Sequence, residues 1–312
     1  MKEFKNIREK LDRLEKTYRS MTDGGKTASY IPELADVNPR LFSISATSVG
    51  GESFSSGDSD TLFSMQSISK VVSLAFALER FGAERVFKKV GMEPCAEPFN
   101  SIMKLEISSN IPLNPFINSG AITVASLIAE DLGGDAIDAV LEFASLCAGR
   151  RPENKLSVNE KIRESEASTA DRNWALAYFM HSTGALTHTV KDSLDLYFSM
   201  CSIEANTVDL SFIGATIANG GLSASGVRVI SLDTVYILIG LMSTCGLYNG
   251  SGEFAVRVGL PAKSGVCGGI LCTVPGRMGI SVFSPPLDER GNSVAGVKAL
   301  GALSREMKLR GL

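Results

Sequence analysis

Histidine is nearly absent from this 312-residue chain, which has only His181 and His188, seven residues apart. Neither sits in an HExxH pattern, and two imidazoles do not make a usual histidine-rich metal site. No GxSxG elbow supports a serine–histidine–aspartate triad, so histidine chemistry is not expected. The six cysteines include no CxxC pair, which removes the usual zinc and thioredoxin signatures. They fall mostly inside apolar segments and read as free buried thiols of a reducing compartment. Basic excess is missing as well. The 31 Lys and Arg against 34 Asp and Glu leave a net charge of −3, with no field to hold a nucleic-acid backbone.

Long hydrophobic runs are also lacking. The uncharged tract "TVYILIGLMSTCGLYNG" directly follows Asp233 and is broken by glycines. It falls short of the roughly 18 consecutive apolar residues of a membrane span. The N-terminal "MKEFKNIREKLDRLEKTYRS" has no apolar h-region and reads as a surface helix, not a signal peptide. A cytoplasmic protein without membrane or nucleic-acid partners is expected.

What is present suits a globular fold: 44% hydrophobic and 21% charged residues. The length exceeds what one hydrophobic core usually serves, so two subdomains are expected. "LFSISATSVGGESFSSGDS" alternates apolar and polar residues around Gly50-Gly51, the pattern of a hairpin. A helix is predicted over about 67–81, with Ser64 as its cap and Gly82 as its stop. From about 86 to 230 the apolar spacing is helical, segment after segment. "GGILCTVPGRMGISVFS" reads as two strands joined at Pro275-Gly276-Arg277, and "PPLDERGNSVAGV" as a further turn and strand before a closing helix. The order predicts an α+β fold: an antiparallel sheet domain built from 1–85 and 231–312, with an all-helical domain, 86–230, inserted between. The active site is then expected at their junction.

Among the motifs, "DGGKT" at 23–27 looks like the tail of a P-loop. Ser20 stands where the first glycine is required, so a turn explains it better. Ser67 and Lys70 form an S-x-x-K pair on one helix face, the serine at the N-terminus where free N–H groups favour developing negative charge. A capping serine beside a surface lysine would explain that pair alone. Lys263-Ser264-Gly265 changes the weighting, because K-[ST]-G opening a strand accompanies S-x-x-K in serine acylases. With no usable histidine, the base for the serine must be Lys70, a tyrosine, or both in relay.

The chain resembles the bacterial serine-dependent glutaminases, a family with a β-lactamase-like fold related to the penicillin-binding proteins. The motifs that carry the likeness are "YIPELA" (30–35), "QSISKV" (66–71), "NPFINSGAI" (114–122) and "ESEASTADRNWALAYF" (164–179). "CGLYNGSGEFA" (245–255), "GLPAKSGVCGGI" (259–270) and "SPPLDERGNSVAG" (284–296) complete them, so the likeness spans nearly the whole chain.

The resemblance implies hydrolysis of the side-chain amide of L-glutamine through a glutamyl-serine acyl-enzyme, with no cofactor and no metal. It implies Ser67 as nucleophile, Lys70 as proton acceptor or relay, and Tyr248 as a second general acid/base. The backbone N–H groups of Ser67 and Val266 would form the oxyanion hole. Tyr30, Asn118, Glu166, Asn173 and Tyr197 would hold the substrate's α-amino and α-carboxylate groups, and Lys263 would help to depress the Lys70 pKa. A homodimer or homotetramer is implied by analogy. Cys267 departs from the pattern, since a smaller residue is expected after Val266. Two other readings stand beside this one: a penicillin-recognising acylase of the β-lactamase type, and a non-catalytic glutamine-binding sensor.

Overall fold

The computed structural model describes residues 6–95 and 110–310. The first five residues of the expected N-terminal helix lie outside that range, as do 96–109 of the expected helical insert. In chain order come α1 (Ile7–Tyr18), α2 (Pro32–Ala35), β1 (Ser43–Ser48), β2 (Ser53–Gly57), β3 (Phe63–Ser64) and α3 (Ser69–Phe87). The middle of the chain holds α4 (Asn118–Leu132), α5 (Ala136–Cys147), β4 (Ser157–Val158), α6 (Glu160–Thr169), α7 (Asp171–Ser182) and α8 (Val190–Cys201). Then follow β5 (Ile203–Ala205), α9 (Thr207–Ala218), α10 (Leu232–Cys245) and α11 (Ser251–Arg257). β6 (Ala262–Ser264), β7 (Gly269–Val274), β8 (Met278–Phe283) and α12 (Val294–Glu306) close the chain.

Five strands form one antiparallel sheet in the order β2-β1-β8-β7-β6, so the two chain ends meet at the β1–β8 pair. The expected hairpins at Gly50-Gly51 and at Pro275-Gly276-Arg277 both occur, with Ser43 opposite Gly57 and Gly269 opposite Phe283. Period-2 alternation gives the sheet two chemically distinct faces. Phe42, Ile44, Ala46, Ile280 and Val282 join an apolar core with Ile7, Leu11 and Leu14 of α1 and Ala299 and Leu303 of α12.

The polar positions of the same strands do not face water. Ser43, Ser45 and Thr47 are buried against α9, where Ser45 donates to Thr207 at 2.8 Å and Thr47 pairs with Ser211 at 2.6 Å. Small hydroxyl side chains let the helix lie close on the strands. At Gly279 an added Cβ would come 2.1 Å from the Ser211 carbonyl, so only glycine fits there.

A second core is helical, built by α3, α4, α5, α7, α8 and α10 around residues such as Leu74, Ile122, Ala125, Leu194 and Phe198. A small sheet, β3-β5-β4, stitches the approach to α3 onto the end of α8. Three expectations are corrected here. Ser64 does not cap α3: it lies in β3, and a 3-10 turn (Gln66–Ile68) intervenes before the helix. Gly82 interrupts helical geometry at φ 75°, but the helix resumes to Phe87. Finally, Val294 and Val297 begin α12 instead of a strand, because the Ser293 side chain caps it by accepting from the Gly296 N–H.

Candidate active site

The helical core and the β6–β7 turn border one cavity of about 250 Å³. Its wall holds seven of the residues singled out from the sequence: Tyr30, Ser67, Asn118, Glu166, Asn173, Tyr197 and Val266. They arrive from six separate segments: the loop before α2, the 3-10 turn ahead of α3, the first residue of α4, adjoining helices α6 and α7, the middle of α8, and the β6–β7 turn. Lys70, Tyr248 and Lys263 stand behind that wall, with 2%, 7% and 0% exposure.

Lys70 does not reach water. Its Nζ donates to Asn118 Oδ1 at 2.7 Å and to the Phe116 carbonyl at 3.3 Å, and lies 5.9 Å from the centre of the Tyr197 ring. Asn118 passes the network on, its Nδ2 donating to Asn173 Oδ1 at 3.0 Å. Burial lowers the Lys70 pKa from 10.5 to about 8, against the partly restoring negative fields of Cys201 and Glu166. Lys263 is pushed well below its ordinary value by burial and by the nearby Lys70 charge. At pH 7 a far larger share of the Lys70 amine is then neutral than for an ordinary lysine.

Tyr248 sits at φ 54°, a left-handed conformation that a residue with a Cβ rarely adopts. Its hydroxyl is a hydrogen-bond partner of the Ser67 side chain and of Ser264, and the Lys263 ammonium lies 4.4 Å over its ring. Burial raises its pKa, so it is a neutral phenol. Gln66, immediately before the serine, is also left-handed at φ 49°. Strain of this kind costs of order 1–3 kcal/mol per residue and persists only where the surroundings enforce it.

Glu166 is 5% exposed, and burial pushes its carboxyl up from 4.5 to about 7, opposed by Gln66, Lys70 and Cys201. Gln66 Nε2 donates to Glu166 Oε2 at 3.2 Å while its Oε1 accepts from the Tyr30 hydroxyl at 2.6 Å. Tyr30 thus places its hydroxyl in the pocket with its ring at the rim, 45% exposed.

The β6–β7 turn is pressed against the serine turn. A Cβ on Gly265 would lie 2.8 Å from the Met65 carbonyl, and one on Gly269 2.8 Å from the Ile68 side chain. The Cys267 thiol fills the remaining space, accepting from the Gly269 N–H at 3.3 Å. Burial pushes that thiol up to about 12, so it stays protonated and a poor nucleophile.

The wall also contains residues that sequence reasoning did not single out: Gln66, Thr169, Ala170, Arg172 and Cys201. All but Cys201 lie inside stretches already quoted, so their position in the motif was the available signal. Among the described residues, no group of three or more His, Cys, Asp or Glu side chains is placed to hold a metal ion. No described helix is long and apolar enough to cross a membrane.

The antiparallel sheet, the helical core and the cavity they share define an amidohydrolase of β-lactamase-like architecture. The glutaminase family model matches residues 25–311. A glutaminase from Clostridium tetani is 46% identical over 305 residues, covering 97% of this chain and 99% of that relative. The chain belongs to the glutaminase family. Solved structures agree: the probable glutaminase ybaS superimposes with a TM-score of 0.92 at 38% identity over 97% of both chains. The probable glutaminase from Bacillus subtilis, complexed with 6-diazo-5-oxo-L-norleucine, gives a TM-score of 0.90 at 33% identity, covering 99% of this chain and 97% of that one.

Proposed function

We propose that this chain hydrolyses the side-chain amide of L-glutamine to L-glutamate and ammonia through a glutamyl-Ser67 acyl-enzyme. The observation that carries the reading is a serine in the cavity wall whose hydroxyl pairs with Tyr248, three residues before a buried lysine with its pKa lowered to about 8. Such a pair answers the main difficulty, since a carboxamide resists a neutral hydroxyl unless a base takes its proton.

Ser67 Oγ attacks the γ-carbonyl carbon, and its proton passes to the Lys70–Tyr248 acid/base pair. The oxyanion that forms is met by the N–H groups of Ser67 and Val266, a role that the close approach of the Gly265 turn to the Met65 carbonyl supports. The pair returns a proton to the departing nitrogen, the C–N bond breaks, and ammonia leaves. Water then attacks the ester as the pair takes its proton, and the pair returns that proton to Ser67 Oγ as glutamate departs.

The pocket's polarity suits a zwitterion. Glu166 faces the α-ammonium, and Asn118, Asn173, Tyr30 and Tyr197 present neutral donors to the α-carboxylate. The complex of the Bacillus subtilis relative with 6-diazo-5-oxo-L-norleucine supports an amino-acid ligand of this length. A division into 1–85 with 231–312 and an inserted 86–230 belongs to the same reading, and so do a cytoplasmic location and a homodimer or homotetramer. In that division β4, β5 and the sheet-packed α9 fall inside the insert, and α3 and α10 of the outer segments join the helical core.

The test is Ser67→Ala: ammonia release from glutamine is lost while the melting temperature stays near that of the parent. Mass spectrometry of the parent, quenched during turnover, should find a glutamyl adduct on the peptide containing Ser67. Retained turnover in the alanine variant would overturn the nucleophile.

A further inference from the structure

Tyr248 stands in a left-handed backbone conformation, and the Ser251 side chain bonds the turn that contains it. The Ser251 hydroxyl accepts a hydrogen bond from the Leu247 N–H at 3.0 Å and donates one to the Tyr248 carbonyl at 2.8 Å. It therefore spans Leu247 and Tyr248 together, accepting from the N–H that precedes the Leu247 Cα and donating to the carbonyl that follows the Tyr248 Cα, whose φ is 54°. Ser251 is 6% exposed, so water does not compete for either bond. Gly250 donates its N–H to the Leu247 carbonyl at 2.9 Å, completing the tight turn.

The ring that emerges from this turn has fixed neighbours on two further sides. Lys263 Nζ lies 4.4 Å over it, and a Cβ at Gly291 would lie 3.6 Å from the Tyr248 ring edge and from Val266. Neither contact sets the backbone angle. A Tyr248 that relaxed to negative φ would swing its hydroxyl away from Ser67, since the side chain follows its Cα.

We infer that Ser251 is a positioning residue for proton transfer, holding Tyr248 in the backbone conformation that brings its hydroxyl to Ser67. The inference rests on the acid/base role proposed for Tyr248, and it predicts a coupling that a role in stability alone does not produce. Ser251→Ala should lower kcat about tenfold and leave KM within about twofold, because the substrate wall is untouched. Ser251→Thr, which keeps the hydroxyl, should recover to within about threefold of the parent.

The deciding experiment is a double-mutant cycle on kcat with Tyr248→Phe. In that background Ser251→Ala should cost nothing further, since the phenol it positions is gone. Multiplicative losses, or a kcat unchanged by Ser251→Ala in the folded parent, overturn the inference. If Ser251→Ala does not fold, Ser251→Cys, which keeps the shape and weakens both bonds, carries the same cycle with the same outcomes. Parent-like turnover in Tyr248→Phe alone would instead remove Tyr248 from the acid/base pair, and this inference with it. An impaired Tyr248→Phe beside an unaffected Ser251→Ala overturns only the inference about Ser251.

Discussion

Glu166 Oε2 accepts a hydrogen bond from Gln66 Nε2, and this contact joins the residue preceding Ser67 to the only carboxylate among the described residues of the cavity wall. The carboxylate is nearly sealed from water and has a pKa of about 7, a poor arrangement for a resting protein and a good one for receiving an ammonium. Glu166→Gln keeps the shape and removes the charge. A charge-assisted hydrogen bond is worth about 1.5–3 kcal/mol, so KM for glutamine should rise about 10- to 100-fold with a smaller change in kcat. An unchanged KM in steady-state kinetics would take Glu166 out of the pocket.

The pH profile follows from two groups. On the proposed mechanism the free enzyme must carry a neutral Lys70 and an ionised Glu166, whose pKa values are about 8 and about 7. As pH falls from 9, log kcat/KM should bend to a slope of one near 8, as Lys70 takes its proton. Below about 7 it should steepen toward two, as Glu166 protonates as well. In Glu166→Gln the second bend disappears. The first moves to lower pH, because the Glu166 charge that holds the Lys70 pKa up has gone. A flat profile between pH 6 and 9 contradicts both assignments.

The residues that were legible from the sequence share one property: their signal is local. Ser67 and Lys70 sit one turn apart, the hairpins carry their own glycine turns, and Lys263-Ser264-Gly265 opens a strand within its own motif. Gln66 was missed because its importance depends on residues 36 and 100 positions away, Tyr30 and Glu166, and on a positive φ that no pattern encodes. Ser64 looked like a helix cap, but pairing of β3 with β5 took it into a strand, a contact across 140 residues. The polar alternation of β1 correctly predicted a strand with two different faces. It could not say that the hydroxyl face packs on α9, because nearness of Gly279 to Ser211 is a tertiary fact. At Val294 a strand was expected after the turn, and the capping serine at 293 starts a helix instead.

Lys70 should cost the fold stability, and the cost should depend on pH. Lowering its pKa from 10.5 to about 8 means that the buried ammonium is disfavoured by about 3 kcal/mol. Below pH 8 the lysine is charged in both folded and unfolded chains, and the whole penalty stands. Between pH 8 and 10.5 the unfolded chain keeps a proton that the folded one has released, so stability rises with pH. Lys70→Met removes the charge but leaves Asn118 without its donor, an offset of about 1–2 kcal/mol. The variant should lack turnover, and at pH 7 it should be more stable than the parent by about 1–2 kcal/mol in denaturant titration. That advantage should vanish by pH 10. A variant less stable than the parent at pH 7 would show that the buried amine is not under strain.

Gly265 offers the sharpest separation of activity from folding. Its missing side chain lets the β6–β7 turn sit against the carbonyl of Met65, two residues before Ser67. In Gly265→Ala the new methyl would stand 2.8 Å from that carbonyl and 3.1 Å from the Cys267 sulfur. The sulfur belongs to a side chain that can rotate, whereas the carbonyl belongs to the strained turn holding Gln66. The methyl should therefore push Val266 away from Ser67 by a few tenths of an ångström. Two N–H groups that must both lie about 2.7–3.1 Å from one developing oxygen tolerate little of that, and losing one such donor costs about 100-fold or more in kcat. We expect Gly265→Ala to lower kcat by about 10- to 100-fold, with KM for glutamine nearly unchanged because Glu166 and Tyr30 are not displaced. Full kcat in a folded Gly265→Ala protein would mean that Val266 takes no part in holding the oxyanion.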